Sequence, residues 1–346
     1  MSNLDPEKIE PIWEPQNKGK KYPSVHATGI FMLVVVGVFF AVNLIMAAIL
    51  DSNEEWAKLY NESATFAYCI SIVMTVLAIG LPTYVMLMIY KGDKDSLLRL
   101  NPISGKEMVI TVCISVVMFV GNLYLSEFNM LLASLFTRID LPQTPPVITT
   151  SDKLALMLSV VVAAPVLEEL MMRGVIMRGM EGKSKWFAFI VTGAFFGMLH
   201  LNYYTLIPKV LGGILLCYMV FETNSIYTGM IVHLINNALS GLATILADDM
   251  AGELADVDIN AMPLSDTLVS MAISLGISIM AIGLILGLLA FMRMSTRTPD
   301  KSGKYIYKGS VRERLESEKP VKAYSYIPMA VAFLILAGYM ALDMLA

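Results

Sequence analysis

Ala163-Ala164-Pro165-Val166-Leu167-Glu168-Glu169-Leu170-Met171-Met172-Arg173-Gly174 is the stretch from which the rest of the chain is read. It lies inside an apolar run from about Leu154 to Met177, long enough to cross a bilayer. Two adjacent carboxylates and a guanidinium in such a run each cost at least about 2.5–3.5 kcal/mol at a helix centre. Ionisable side chains at that depth are functional candidates, and the remaining sequence is searched for groups that answer them.

Of the 346 residues, 56% are hydrophobic and 16% charged, which excludes a soluble globule and makes the class a polytopic α-helical membrane protein. Nine apolar spans stand out: about Gly29–Leu50, Ala64–Tyr90, Met108–Phe136, Leu154–Met177, Trp186–Leu199, Leu206–Phe221, Ile226–Leu246, Leu268–Phe291 and Ile327–Leu342. They are too long for barrel strands and lack period-two alternation, so the fold class is all-α, a transmembrane bundle of about eight to nine spans. The fifth and sixth are short, as expected of helices buried among others.

The net charge of −4 conceals a segregation. Lys8, Lys18, Lys20 and Lys21 precede the first span, Lys91, Lys94, Arg99 and Lys106 follow the second, and Arg178, Lys183 and Lys185 follow the fourth. Nine more basic residues lie between Arg293 and Lys322, whereas alternate connections are acidic, with Asp51, Glu54, Glu55 and Glu62, then Asp248, Asp249, Glu253, Asp256, Asp258 and Asp266. Twenty of the 25 basic residues fall on one side and four on the other, with Arg173 inside a span. The excess places the N-terminus in the cytoplasm and, with nine spans, the C-terminus outside. The first span reads as an uncleaved signal anchor. Cys69, Cys113 and Cys217 fall within spans, far apart, and indicate neither a disulfide framework nor a Cys-based metal site. No internal repeat, phosphate loop or nucleic-acid motif is present, and the basic residues are topological, so nucleic acid is not an expected partner.

Several details are read as structural. Asn122, Glu127 and Asn129 in the third span suit a helix packed inward with its polar groups paired to neighbours. His26 suits a membrane-edge role. Pro165 removes a backbone donor one turn before the glutamates and opens carbonyls there. Gly193, Ala194 and Gly197 form a face on which another helix can come close, and Gly283 with Gly287 suggests a second such contact.

On a helix, Glu169 and Arg173 are i,i+4 neighbours with the acid first, the favoured order for an ion pair. Glu168 lies one step around and has no basic partner on its own helix. Of three histidines, His200 closes the fifth span and His233 lies on the seventh, with Asn237 four residues on and Asn236 on another face. Glu, His, His and Asn supply what peptide hydrolysis needs: a base for water, a proton partner and donors for an oxyanion. The same residues have a metal reading, Zn2+ held by Glu168, His200 and His233 with water in the fourth position. No His-Glu-x-x-His pair or Gly-x-Ser-x-Gly elbow accompanies them.

Glu168-Glu169 to Arg173, Phe196 to His200, and His233 to Asn237 resemble the three motifs of the CAAX-protease and bacteriocin-processing (CPBP, or Abi) intramembrane proteases, relatives of the Ras-converting enzyme. The resemblance covers roughly Leu154–Leu246, with Gly212-Gly213, Tyr218 and Thr223-Asn224-Ser225 resembling the approach to the third motif. Met172 stands where that family often has Phe. The resemblance implies that Glu168 and His200 activate a water, that His233 and Asn237 stabilise the oxyanion, and that Glu169 and Arg173 support the site. It leaves the metal open, and the Asn favours a metal-free glutamate mechanism.

The expected organisation is a cytoplasmic tail at 1–28, transmembrane helices over 29–150, a catalytic core at 151–247, an outer loop and eighth span at 248–292, a basic cytoplasmic linker at 293–325 and a last helix at 326–346. The expected function is an intramembrane endopeptidase acting on a peptide or membrane-associated protein in a bacterial-type plasma membrane. Its site would lie in the cytoplasmic half of the bilayer. The competing expectations are a non-catalytic immunity, chaperone or scaffold protein of the same fold and, more distantly, an ion-coupled transporter with Glu168 as carrier.

Overall fold

The computed structural model describes residues 22–90, 97–140, 144–181, 183–249, 259–295, 297–299, 305–307 and 321–345. Polar caps, rather than hydropathy, set where several helices begin. Helix α1 (Val25–Ser52) starts where Ser24 accepts from the Ala27 amide, ahead of the apolar run. Short α2 (Glu54–Glu62) is capped by Asn53, with Glu54 and Glu55 in its first turn, and leads into α3 (Ala64–Ile89). Reciprocal capping boxes, Ser104 with Glu107 and Thr149 with Asp152, open α4 (Gly105–Ser134) and α5 (Thr150–Met180). There follow α6 (Lys185–Leu199), α7 (Leu206–Thr223), α8 (Ile226–Asp249), α9 (Leu264–Ser295) and α10 (Ile327–Leu345).

Among the described residues, eight helices are long and apolar enough to cross a membrane. The fifth expected span is α6, only 15 residues long and so outside that eight. The sixth is not short: the turn Tyr203–Thr205 runs into α7 to give 21 residues. In the expected basic linker, Arg297–Pro299 pairs antiparallel with Tyr305–Tyr307. Residues 296, 300–304 and 308–320 of that linker and 1–21 of the expected tail lie outside the described residues.

Helix α5 is the axis of the core. Its Met171, Met172, Val175, Ile176, Met177 and Met180 are buried and pack in one cluster with Phe189 and Phe195 of α6 and Val220 of α7. The α6–α7 contact is as close as its glycines allow. A Cβ on Gly193 would lie 2.8 Å from the Ile214 amide nitrogen, and one on Gly213 the same distance from the Gly193 Cα. The expectation for Gly283 and Gly287 is overturned, since a Cβ on either meets nothing within 4 Å. The close contact of α9 is instead at Gly121 of α4, where a Cβ would lie 2.9 Å from the Ala281 Cβ.

The asparagines of α4 are structural, as read. Asn129 accepts from the Ile207 amide at the start of α7 (2.8 Å) and donates to the Tyr203 carbonyl (3.2 Å). Asn122 approaches Asn236 at 3.5 Å, and Asn236 donates back to the Ser115 carbonyl at 3.2 Å. The α7–α8 turn is made by Asn224, whose left-handed φ of 50° suits Asn. Its carbonyl accepts from Asn101, which anchors the turn to the basic-side loop before α4.

Candidate active site

Two wide-turn stretches in α5, Met157–Ala163 and Leu170–Ile176, flank the segment that carries the glutamates. Pro165 accounts for the first. With i→i+5 bonding, as in Ala164 N–H to Ser159 O, the amide that Pro165 lacks would have met the Val160 carbonyl. Asn237 of α8 takes that carbonyl instead, donating from Nδ2 at 2.8 Å. A helix defect on α5 is thus tied to α8, which brings the two functional helices into register.

Three site residues meet directly, and a fourth lies just beyond hydrogen-bond reach. Arg173 Nη1 donates to Glu169 Oε1 at 2.7 Å, and His233 Nδ1 donates to the same oxygen at 2.9 Å. Glu169 and Arg173 are buried to within 1% exposure, so an unpaired charge here would be severely penalised. Arg173 Nη2 donates to the Gly213 carbonyl at 3.0 Å, which locks the pair to α7. Gly229 lies tight against the pair, where a Cβ would fall 2.6 Å from Glu169 Oε2. With Nδ1 committed, His233 turns Nε2 toward Glu168 Oε2 at 3.6 Å, an approach too long for a direct hydrogen bond. Glu168 keeps 15% of its side chain exposed and has no closer polar partner among the described residues.

Phe196 joins the remaining residues. Its ring lies 4.9 Å from His200 and 5.6 Å from His233, centroid to centroid, both edge-on, and the Arg173 guanidinium sits 5.3 Å from its centroid. The first position of the Phe-x-x-x-His spacing is therefore a packing hub, which the sequence reading treated only as a motif marker. His200 donates from Nδ1 to the Phe196 carbonyl at 2.8 Å and stays exposed, so Nε2 is the ring nitrogen left over. Behind it Leu201 holds a left-handed φ of 53°, turning the chain into α7.

Residues 150–239 match the family model described as type II CAAX prenyl endopeptidase Rce1-like. Over these residues the chain is similar to the Rce1-like family. Comparison with curated proteins and with solved structures finds no match. The Rce1-like segment runs from the first turn of α5 into α8 and holds Glu168, Glu169, Arg173, His200, His233 and Asn237. The match supports a protease of the CAAX type, and the eight long apolar helices among the described residues indicate a multi-pass membrane protein.

One charged residue close to the site escaped the sequence reading. Lys209, on the first turn of α7, lies within electrostatic range of both Glu168 and His200. The charge segregation counted it with the outer side, although its position inside the sixth span was the signal that could have found it. A zinc ion would require Glu168, His200 and His233 around one point. Both histidine Nδ1 atoms are engaged, which leaves each Nε2 as the ring nitrogen available to a ligand, and among the described residues no group of three or more His, Cys, Asp or Glu is arranged to hold a metal ion.

Proposed function

We propose that the chain is an intramembrane endopeptidase that hydrolyses a peptide bond of a peptide or membrane-associated protein, in a plasma membrane of bacterial type. Glu168, with His200, takes the proton from a water as its oxygen attacks the scissile carbonyl. His233 and Asn237 face the oxyanion, and the proton held at Glu168 passes to the departing amine as the C–N bond breaks. Glu169 and Arg173 act through His233, fixing its ring orientation.

The observation that carries this reading is the ordered chain Arg173–Glu169–His233, which ends beside a carboxylate that has no clamp of its own. With Nδ1 committed to Glu169, the His233 ring is fixed so that Nε2 faces the space beside Glu168. Asn237 keeps one Nδ2 hydrogen beyond the one given to Val160, which leaves a donor for an oxyanion.

The test is cleavage of a peptide library by detergent-solubilised protein, with Glu168→Gln, His200→Ala and His233→Ala compared with wild type, with and without a chelator. The expected result is loss of cleavage in all three variants, each retaining the wild-type melting profile, and no effect of chelator. Cleavage that survives Glu168→Gln would overturn the reading, and chelator-sensitive cleavage would return the Zn2+ alternative.

A further inference from the structure

Helices α7 and α9 both pack along α4 but not along each other, and the gap between them is a cavity of about 610 Å3. None of the six site residues lines it. Its α9 wall runs from Ser278 to Arg293, about 22 Å of helix at ~1.5 Å per residue. That is the depth of one leaflet with its headgroup layer, about 20–22 Å. The walls are apolar along this length, with Leu211, Leu215, Ile282 and Leu286 among them, and Leu211, Ile282 and Leu286 are exposed toward the surroundings. Charge gathers at one end, where Lys185, Glu222 and Arg293 meet Tyr218 on the basic face of the bundle.

The lining decides the class of occupant: apolar along its length and cationic at one end, it suits an amphiphile with an apolar chain and an anionic head. An extended peptide would strand its amides against walls that offer little beyond Asn122 and Ser278 as polar partners. A hydrocarbon chain has no such need. At the charged end, two cations against one carboxylate leave a net positive charge. Lys185 rests 5.6 Å from the Trp186 ring centroid and 5.5 Å from that of Phe221, and no described carboxylate lies within ion-pair distance of it.

We propose that this slot binds one anionic phospholipid of the basic-side leaflet, with an acyl chain between α7 and α9 and its phosphate at Lys185. The site is separate from the catalytic cluster and does not rest on the protease reading. Lipid occupancy would seal the side of α7 remote from α6, and α7 is the helix that carries Lys209 and the Gly213 carbonyl to the active site.

The test uses the full-length protein in nanodiscs of phosphatidylcholine doped with phosphatidylglycerol, with retained lipid counted by native mass spectrometry. Ile282→Trp, at the open rim, fills the slot with little demand on the core, and thermal melting checks that it folds. Wild type is expected to retain one phosphatidylglycerol, and Ile282→Trp to lose it. Lys185→Gln should weaken phosphatidylglycerol retention about fivefold and leave phosphatidylcholine unaffected. Equal retention in folded Ile282→Trp, equal weakening of both lipids in Lys185→Gln, or displacement by a prenylated peptide but not by added phosphatidylglycerol would each overturn the proposal.

Discussion

Two buried carboxylates on or just beyond the same helix, twelve residues apart, are treated in opposite ways. Glu181, at the basic face, is closed on both oxygens. Arg99 grips it with two bonds of 2.7 and 3.0 Å, Arg178 adds a third at 2.9 Å, and Arg99 Nε also donates to Asn224 Oδ1 at 3.0 Å. Glu169, deep in the membrane, concentrates both of its donors on Oε1 and leaves Oε2 without a hydrogen-bond partner. The first cluster ties the loop before α4, the end of α5 and the α7–α8 turn into one joint. The second ends in a histidine that faces a further carboxylate. A satisfied cluster holds structure, whereas a cluster with unspent acceptors and a half-open neighbour is equipped for chemistry.

The largest expected effect separates the two. Glu168→Gln should lower the cleavage rate by about 10²–10⁴-fold, as loss of a general base does, with little change in melting temperature. Glu181→Ala should do the reverse. It removes the carboxylate that the buried Arg99 and Arg178 share, at about 3–5 kcal/mol in stability by chemical denaturation, while cleavage per folded molecule stays near wild type. A smaller effect sharpens the link between α4 and the site. Asn129→Ala removes the acceptor at Ile207 and should cost about 1 kcal/mol, seen as faster hydrogen exchange over residues 203–210. Smallest is Leu201→Gly, where relief of a left-handed backbone, about 1 kcal/mol, is set against loss of the leucine's packing on the core, so the melting temperature should fall less than after Leu201→Ala, which keeps the strain.

Much of this organisation was legible in the sequence because membranes simplify the code. The apolar runs marked the helices, and the i,i+4 order of Glu169 and Arg173 foretold their ion pair. The spacing of His233, Asn236 and Asn237 separated the residues that face the site from the one that faces α4. What stayed hidden depended on how helices approach one another. Arg99 looked like one more charge in a basic loop, and only the fold carries it to Glu181, far along the chain. Lys209 sits next to Pro208 near the end of a short apolar run, so it resembled a span boundary. Gly283 and Gly287 had the spacing of a packing face but no helix comes near them, while single Gly121 makes the real contact with α9. The slot between α7 and α9 has no local signature, because it is a space left between two helices that share a third.

The contrast between the two carboxylates is tested most directly by placing Glu168→Gln and Glu181→Ala in one cleavage assay, each rate normalised to the folded fraction. The expected result is a folded, inactive Glu168→Gln protein beside a destabilised Glu181→Ala protein whose folded molecules still cut. Glu168→Gln protein cutting at the wild-type rate would contradict the assignment of Glu168 to the chemistry.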